Sequence, residues 1–332
     1  MTREVRILRE GDVRASLGMV ACIKACDEAF AAYSNARAST PGIISLEIPE
    51  RAANVHVKAG HIDGERYFAV KVAAGFPENV ELGLPANGGM VMVFDAATGE
   101  PAAFLLDNGY ITDLRTGAAG GVVAQHLAKQ DVRTVAVIGT GSQARYQLDA
   151  LAMVRPGFSR VRVWGRDADR AGACVDDLGA RGRLPEGCMP VVATDVRTAV
   201  EGADVVITCT ASRTPLVRAE WLTPGTHVTA VGADDAGKQE LDVSVLARAD
   251  LVVVDSRRQC ASFGELQHAV SGGVMDPAAA VELGEICAGR HPGRTSADQL
   301  TVCDLTGLGV QDVAAANVVM ANAADLGEVF DP

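Results

Sequence analysis

A β-branched apolar run from Thr134 to Ile138 stops at Gly139, and the spacing Gly139-x-Gly141-x-x-Ala144 follows it, leading into a helical-looking stretch from Arg145 to Met153. Each small residue has a physical task there. Gly139 allows the tight turn out of the strand, and Gly141 lets the backbone approach a pyrophosphate. Ala144 lets the following helix lie close on the sheet, and that helix's first N–H groups face the phosphates. The spacing alone is weak, because a plain turn can produce it. Strand before, helix after and further βα units downstream point to a dinucleotide-binding unit. That unit begins only at residue 134, so something else is built first.

At 332 residues the chain exceeds the size at which single cores usually stop growing, which makes two domains the expectation. Its 48% hydrophobic and 22% charged composition is that of a globular enzyme. A net charge of −12 argues against a nucleic-acid groove, and no basic amphipathic segment suits a membrane surface. No apolar run reaches the ~18–20 residues of a membrane span. The first ten residues are charged throughout and lack the apolar core of a signal peptide. Eight cysteines are scattered without Cys-x-x-Cys spacing, and Cys22 and Cys26, one helical turn apart, read as core thiols. A reducing, cytoplasmic setting is expected.

Helical spacing over 16–36 starts the chain, and Pro41 closes that region. Strand-like runs follow at Ile43 to Ile48, Val55 to His61, Tyr67 to Ala73, Met90 to Asp95 and Ala102 to Leu106, the last two joined as a hairpin by Asp95-Ala-Ala-Thr-Gly99. The first ~110 residues thus read as mostly antiparallel sheet with one early helix. Ile111 to Lys129 reads as a long Ala- and Gly-rich helix suited to close packing on another helix. Beyond Gly141, short apolar strands at Val161 to Trp164, Val191 to Thr194, Val205 to Thr208, His227 to Val231 and Leu251 to Val254 alternate with helical or loop segments, as in a parallel sheet covered on both faces. A final Ala- and Asn-rich helix, Val310 to Leu326, is expected to cross back to the first domain. The fold class is therefore α/β: a Rossmann domain over 121–312 plus a discontinuous α+β domain over 1–120 and 313–332.

Four blocks in order resemble the ornithine cyclodeaminase/μ-crystallin family over nearly the whole chain. They are Val70-Lys-Val72 with Gly83-Leu-Pro85, Ile111-Thr-Asp-Leu-Arg-Thr116, Ile138 to Ala144, and Ala230 to Leu241. In texture the chain is most similar to family members of ectoine utilisation and to iminosuccinate reductases. The resemblance implies NAD(H) or NADP(H) as cofactor, a small imino or amino acid as substrate, and a homodimer, with no nucleic-acid or membrane partner. It implies that the domain over 1–120 and 313–332 is the substrate and dimerisation domain. It places Lys71 at the substrate-pocket lysine, where a buried ammonium binds a carboxylate or, desolvated, moves a proton. Read without the resemblance, Lys71 is a strand lysine with its head in solvent. Arg115 and Thr116 match an Arg-Thr pair that holds substrate carboxylate and cofactor phosphate; the plainer reading is a salt bridge and a helix cap. Asp234 matches the catalytic aspartate, whereas Asp235 reads as a solvated loop residue. Gly139, Thr140, Gly141, Ser142, Gln143 and Ala144, together with Thr210, Gly232, Thr306 and Gly307, are assigned to the cofactor. For the segment around Thr306 a plain helix-start turn is the competing reading.

Two departures from the family pattern matter. No arginine stands in Gly42 to Ile48, and Ser45 sits about where relatives carry one, so carboxylate binding falls to Arg115 and Lys71 with His56 or Lys58 helping. After Trp164 the chain reads Gly165-Arg166-Asp167; an arginine there suits a 2′-phosphate, while Asp167 suits ribose hydroxyls, so both cofactors stay open. The six histidines never form His-x-x-x-His, and no metal site is read. Three functions remain: reduction of an α-imino acid with iminosuccinate to aspartate favoured, a cyclodeaminase releasing ammonia from a diamino acid, and a non-catalytic nucleotide or small-ligand binding protein.

Overall fold

The computed structural model describes residues 4–330, and the chain divides into two units. One comprises the residues up to Arg115 and those from Leu308 onward; the other runs from Thr116 to Gly307.

The first unit is built on a mixed sheet. Its strands lie in the order Glu328–Phe330, Val5–Arg9, Pro101–Leu106, Asn87–Asp95, Tyr67–Gly75, Ala53–Ile62 and Ala38–Ser39, with Ile44–Ile48 also paired to Ala53–Ile62. All pairings are antiparallel except Val5–Arg9 with Pro101–Leu106. Among the described residues the strand Val5–Arg9 therefore comes before any helix, where the sequence reads a helix first. The Val5-Arg-Ile-Leu-Arg9 strand is too short to show a period in the sequence, and its place is fixed by distant partners. Helices Glu10–Ser16 and Met19–Ser34 follow where one helix is expected, broken at Leu17-Gly18. Helix Gly309–Asn322 lies on Met19–Ser34 and on the strands Ala53–Ile62 and Tyr67–Gly75. Gly309 is required there: a β-carbon would collide with the Ala59 carbonyl.

The second unit is a fully parallel eight-stranded sheet. Its order is Met189–Val192, Arg160–Trp164, Thr134–Ile138, Val205–Thr208, His227–Ala230, Thr301–Asp304, Leu251–Val254, Val281–Glu282. The order reverses beside Thr134–Ile138, the switch point at which doubly wound sheets bind nucleotides. Both sheet faces are covered, which explains the unbroken apolar runs. Val135, Val137, Val205 and Ile207 pack with Leu148 and Leu151 on one side, and Ala136, Ile138, Val206 and Val228 with Leu246 and Leu266 on the other.

The divisions fall at 115/116 and 307/308, where the sequence suggests 120/121 and 312/313. Helix Tyr110–Leu127 leaves the first unit early because its glycines admit helix Ser142–Val154: a β-carbon on Gly117 would come 2.7 Å from the Tyr146 carbonyl oxygen, and one on Gly120 would collide with Gln147. Gly309 and Asp312 belong to the first unit because they pack on its sheet.

Candidate functional site

In the first unit, strand register gathers the basic residues. Ser45 pairs with His56 and His56 with Ala73, while Lys58 pairs directly with Lys71. Side chains of a strand alternate between faces with period two, so Ser45, His56, Lys58 and Lys71 all lie on one face. Lys58 and Lys71 are buried, Lys71 to 2% exposure; the ammonium is not in solvent. Ser45 is exposed and His56 half-buried.

Lys71 Nζ donates to Asp312 Oδ1 at 2.8 Å, and Arg115 Nε donates to the same oxygen at 3.1 Å. Burial, reinforced by Arg115 and Lys58 and opposed by Asp312, pushes Lys71 down to about 7. Burial pushes Asp312 up, but Lys71, Arg115 and Lys58 outweigh it and hold the carboxyl below its ordinary range. Asp107 accepts from the Ile111 N–H at 2.7 Å, and burial raises it to about 6. Cys22 and Cys26 are both buried thiols, and Cys26 Sγ lies 3.9 Å from the Arg115 carbonyl oxygen. Asp312 is the residue that sequence reasoning missed. It stands 241 positions from Lys71, and no spacing rule reaches across that distance.

In the second unit the turn after Thr134–Ile138 is built as expected. Gly139 has φ +131°, and a β-carbon there would sit 2.7 Å from the Cys209 carbonyl oxygen, so the fold itself demands glycine. Gly141 differs. It is the N-cap of helix Ser142–Val154, with φ −76° and ψ −172°, a conformation open to any residue, and its β-carbon would meet nothing within 4 Å. Neither conformation nor internal packing requires a glycine at that helix start. A bound phosphate backing onto the main chain does, so the residues present fit a dinucleotide. Arg145 braces the turn, donating to the carbonyls of Thr140 at 2.8 Å and Gly141 at 3.1 Å while paired with Asp177 at 2.7 Å. Ala144 is fully buried. Gln147 Nε2 bridges the Thr116 carbonyl at 2.9 Å and Gln143 Oε1 at 3.3 Å, tying Thr116 and Gln143 to one point.

Thr210 and Gly232 are brought together by Glu240, another residue not singled out from sequence. The buried Glu240 carboxylate accepts from Thr208 Oγ1 at 2.7 Å, Thr210 N at 2.5 Å, Thr210 Oγ1 at 2.7 Å and Gly232 N at 2.9 Å. Burial pushes it up to about 7 against those four donors. Asp255 does the same for the last loop, accepting from Thr306 N at 2.9 Å and Gly307 N at 2.7 Å. Asp234 sits in the loop after His227–Ala230, partly exposed, with Oδ1 2.6 Å from Lys238 Nζ. Arg166 is exposed just beyond Arg160–Trp164, while Asp167 caps helix Ala168–Ala180 by accepting from Arg170 N at 3.0 Å.

The model of the ornithine cyclodeaminase/mu-crystallin family matches residues 3–327. This chain belongs to that family. Three solved members of similar architecture cover nearly all of it. An archaeal alanine dehydrogenase dimer with bound NAD is 36% identical, covers 98% of this chain and 99% of its own, and superposes with a TM-score of 0.89. The Thermococcus litoralis Δ1-pyrroline-2-carboxylate reductase, in complex with NADH and L-proline, is 28% identical with a TM-score of 0.90 over 97% of this chain and 99% of its own. The iminosuccinate reductase of Paracoccus denitrificans with NAD+ is 29% identical with a TM-score of 0.87 over 99% and 100%. The ornithine cyclodeaminase/mu-crystallin family thus includes nicotinamide-dependent enzymes of imino and amino acids.

Proposed function

We propose that this protein reduces a small α-imino acid to the L-amino acid with NADH or NADPH, reversibly, with iminosuccinate to aspartate the favoured pair. The observation that carries this reading is the charge on one face of the first unit's sheet. Lys58, Lys71 and Arg115 are buried there, with Asp312 bridging two of them. Buried cations favour an anion beside them, and an α-imino acid brings a carboxylate. Two ammonium groups on directly paired residues support an acid with a second carboxylate, because like charges facing each other across a strand pair repel. A diamino acid would bring its distal ammonium toward Lys58, Lys71 and Arg115, so the cyclodeaminase reading has less support.

In this reading Arg115 and Lys71 bind the substrate carboxylate, with Lys58 toward the side chain and His56 and Ser45 at the exposed end of that face. Gly139 to Ala144, with Thr116, hold the pyrophosphate, and Thr210, Gly232, Thr306 and Gly307 line the nicotinamide half. When bound, the nicotinamide cofactor supplies the hydride. Asp234 handles the proton of the iminium nitrogen, with Lys238 orienting its carboxylate. A homodimer is part of the proposal. Ile44 and Leu46, 65% and 58% exposed, lie on the same sheet face as Val57 and Val55, their cross-strand partners, an apolar surface that a second copy would cover.

The decisive experiment follows NADH and NADPH oxidation against iminosuccinate, pyruvate with ammonia, and cyclic imines. Turnover of the dicarboxylic imine above the monocarboxylic ones supports the reading. Ammonia release from ornithine or lysine, without net reduction of any imine, overturns it.

A further inference from the structure

We infer that Asp312 is a positioning residue of the substrate face, holding Lys71 as an ammonium ion and fixing the Arg115 guanidinium so that both present charged donors to a carboxylate. This rests on the proposed function for its catalytic consequence, but not for its electrostatics. The geometry is specific: one oxygen, Oδ1, accepts from both cations, at 2.8 Å from Lys71 and 3.1 Å from Arg115. The other, Oδ2, is buried and has no hydrogen-bond partner among the described residues. A carboxylate placed only for stability would satisfy both oxygens, since an unmet buried acceptor is costly. Asp312 is instead committed to two side chains whose charges would otherwise oppose each other.

Every element around Lys71 contributes to its charge. Lys58 on the paired strand and Arg115 on helix Tyr110–Leu127 work against an ammonium, and His56 lies on the same sheet face. Asp107, just before that helix, favours it weakly from a carboxyl itself pushed up to about 6. Cys22 and Cys26 on helix Met19–Ser34 are buried thiols. Asp312 is thus the carboxylate in hydrogen-bond contact with the amine, and Lys71, already at about 7, sits where the loss of that contact decides its protonation.

The test reads Lys71 directly. In full-length protein carrying 13Cε-labelled lysine, the resonance absent from Lys71→Met is followed against pH by NMR. Asp312→Asn is expected to lower its midpoint by about one pH unit or more, since a charge at contact distance is worth a pKa change of that order. A midpoint that stays or rises overturns the inference. Should Asp312→Asn not fold, Lys71→Met gives the reciprocal reading: the Asp312 13Cγ midpoint rises, and an unmoved midpoint overturns it equally. In kinetics on iminosuccinate, Asp312→Asn should lose about tenfold in kcat/KM at pH 8, mostly through KM, and recover most of it at pH 6. A loss equal at both pH values, together with an unmoved NMR midpoint, reduces Asp312 to a packing role. A shifted midpoint without the kinetic change instead leaves the inference standing and removes Lys71 from carboxylate binding, a failure of the proposed function alone.

Discussion

Gly141→Asp separates folding from binding at a single position. The glycine caps helix Ser142–Val154 in a conformation that aspartate adopts readily, and its β-carbon would enter open space. Aspartate is a preferred N-cap, better than glycine by a few tenths of a kcal/mol, and its charge suits the positive helix end. Stability should therefore hold or rise slightly, a change of about 1 °C at 2–4 °C per kcal/mol. Binding should move the opposite way. The carboxylate would occupy the approach to the backbone and face the pyrophosphate, and like charges in contact cost several kcal/mol. A loss of about 3 kcal/mol or more is a fall in NAD(P)H affinity of ~10²-fold or beyond. Calorimetric titration and thermal unfolding of the same preparation give both numbers. Unchanged affinity in a folded variant refutes the fingerprint assignment, and a drop of many degrees in the unfolding midpoint refutes the open-space argument for Gly141.

Lys58→Ala should lower kcat/KM for iminosuccinate about tenfold or more relative to the imine of pyruvate, the scale of one charge-assisted contact; an unchanged ratio removes Lys58 from side-chain recognition. Arg166→Ala should lower the NADPH/NADH ratio of kcat/KM, since the exposed Arg166 follows the second strand and Asp167 is engaged as a helix cap. A constant ratio would show that cofactor preference is set elsewhere. Asp234→Asn should cut turnover by ~10²-fold with little change in cofactor affinity, and full turnover would leave the Asp234–Lys238 pair as a loop ion pair. His227, buried between Thr229 and Thr301, is pushed down to about 3 by burial. The unfolded chain takes up that proton near pH 6.5 and the folded one does not, so stability falls as pH drops from 6.5 toward 3. Between pH 7 and pH 5 wild type should lose about 2 kcal/mol more than His227→Gln in urea unfolding, and equal losses would contradict a neutral His227.

The parallel sheet was legible because strands buried on both faces are written as short apolar runs, and Val205–Thr208 and Leu251–Val254 match their sequence limits. The Gly-x-Gly-x-x-Ala turn was legible because backbone geometry leaves few alternatives at Gly139. Edge and terminal pieces were not. Val5–Arg9 and Glu328–Phe330 are short strands that exist only by pairing across the length of the chain. The face shared by Ser45, His56, Lys58 and Lys71 was hidden for a different reason. Each residue could be suspected alone, but only register shows that Lys58 stands opposite Lys71. Asp312, Glu240 and Asp255 escaped because a buried carboxylate is recognised by its donors, which lie on other elements.

The return of helix Gly309–Asn322 to the first unit orders events during synthesis. The nucleotide-binding unit is one continuous segment, Thr116–Gly307, and each of its strands emerges from the ribosome before that helix does. The sheet that carries Lys71 is made before that unit, but waits through the whole of it for its covering helix and its Glu328–Phe330 edge strand. Closing a loop of 241 residues costs only slightly more than closing a short one, because the entropy grows with the logarithm of length, but it sets a sequence in time. Until residue 312 emerges, Lys71 and Arg115 have no Asp312 to share. A nascent chain therefore exposes every strand of its nucleotide-binding unit first, and the buried charges of Lys71 and Arg115 meet their carboxylate last.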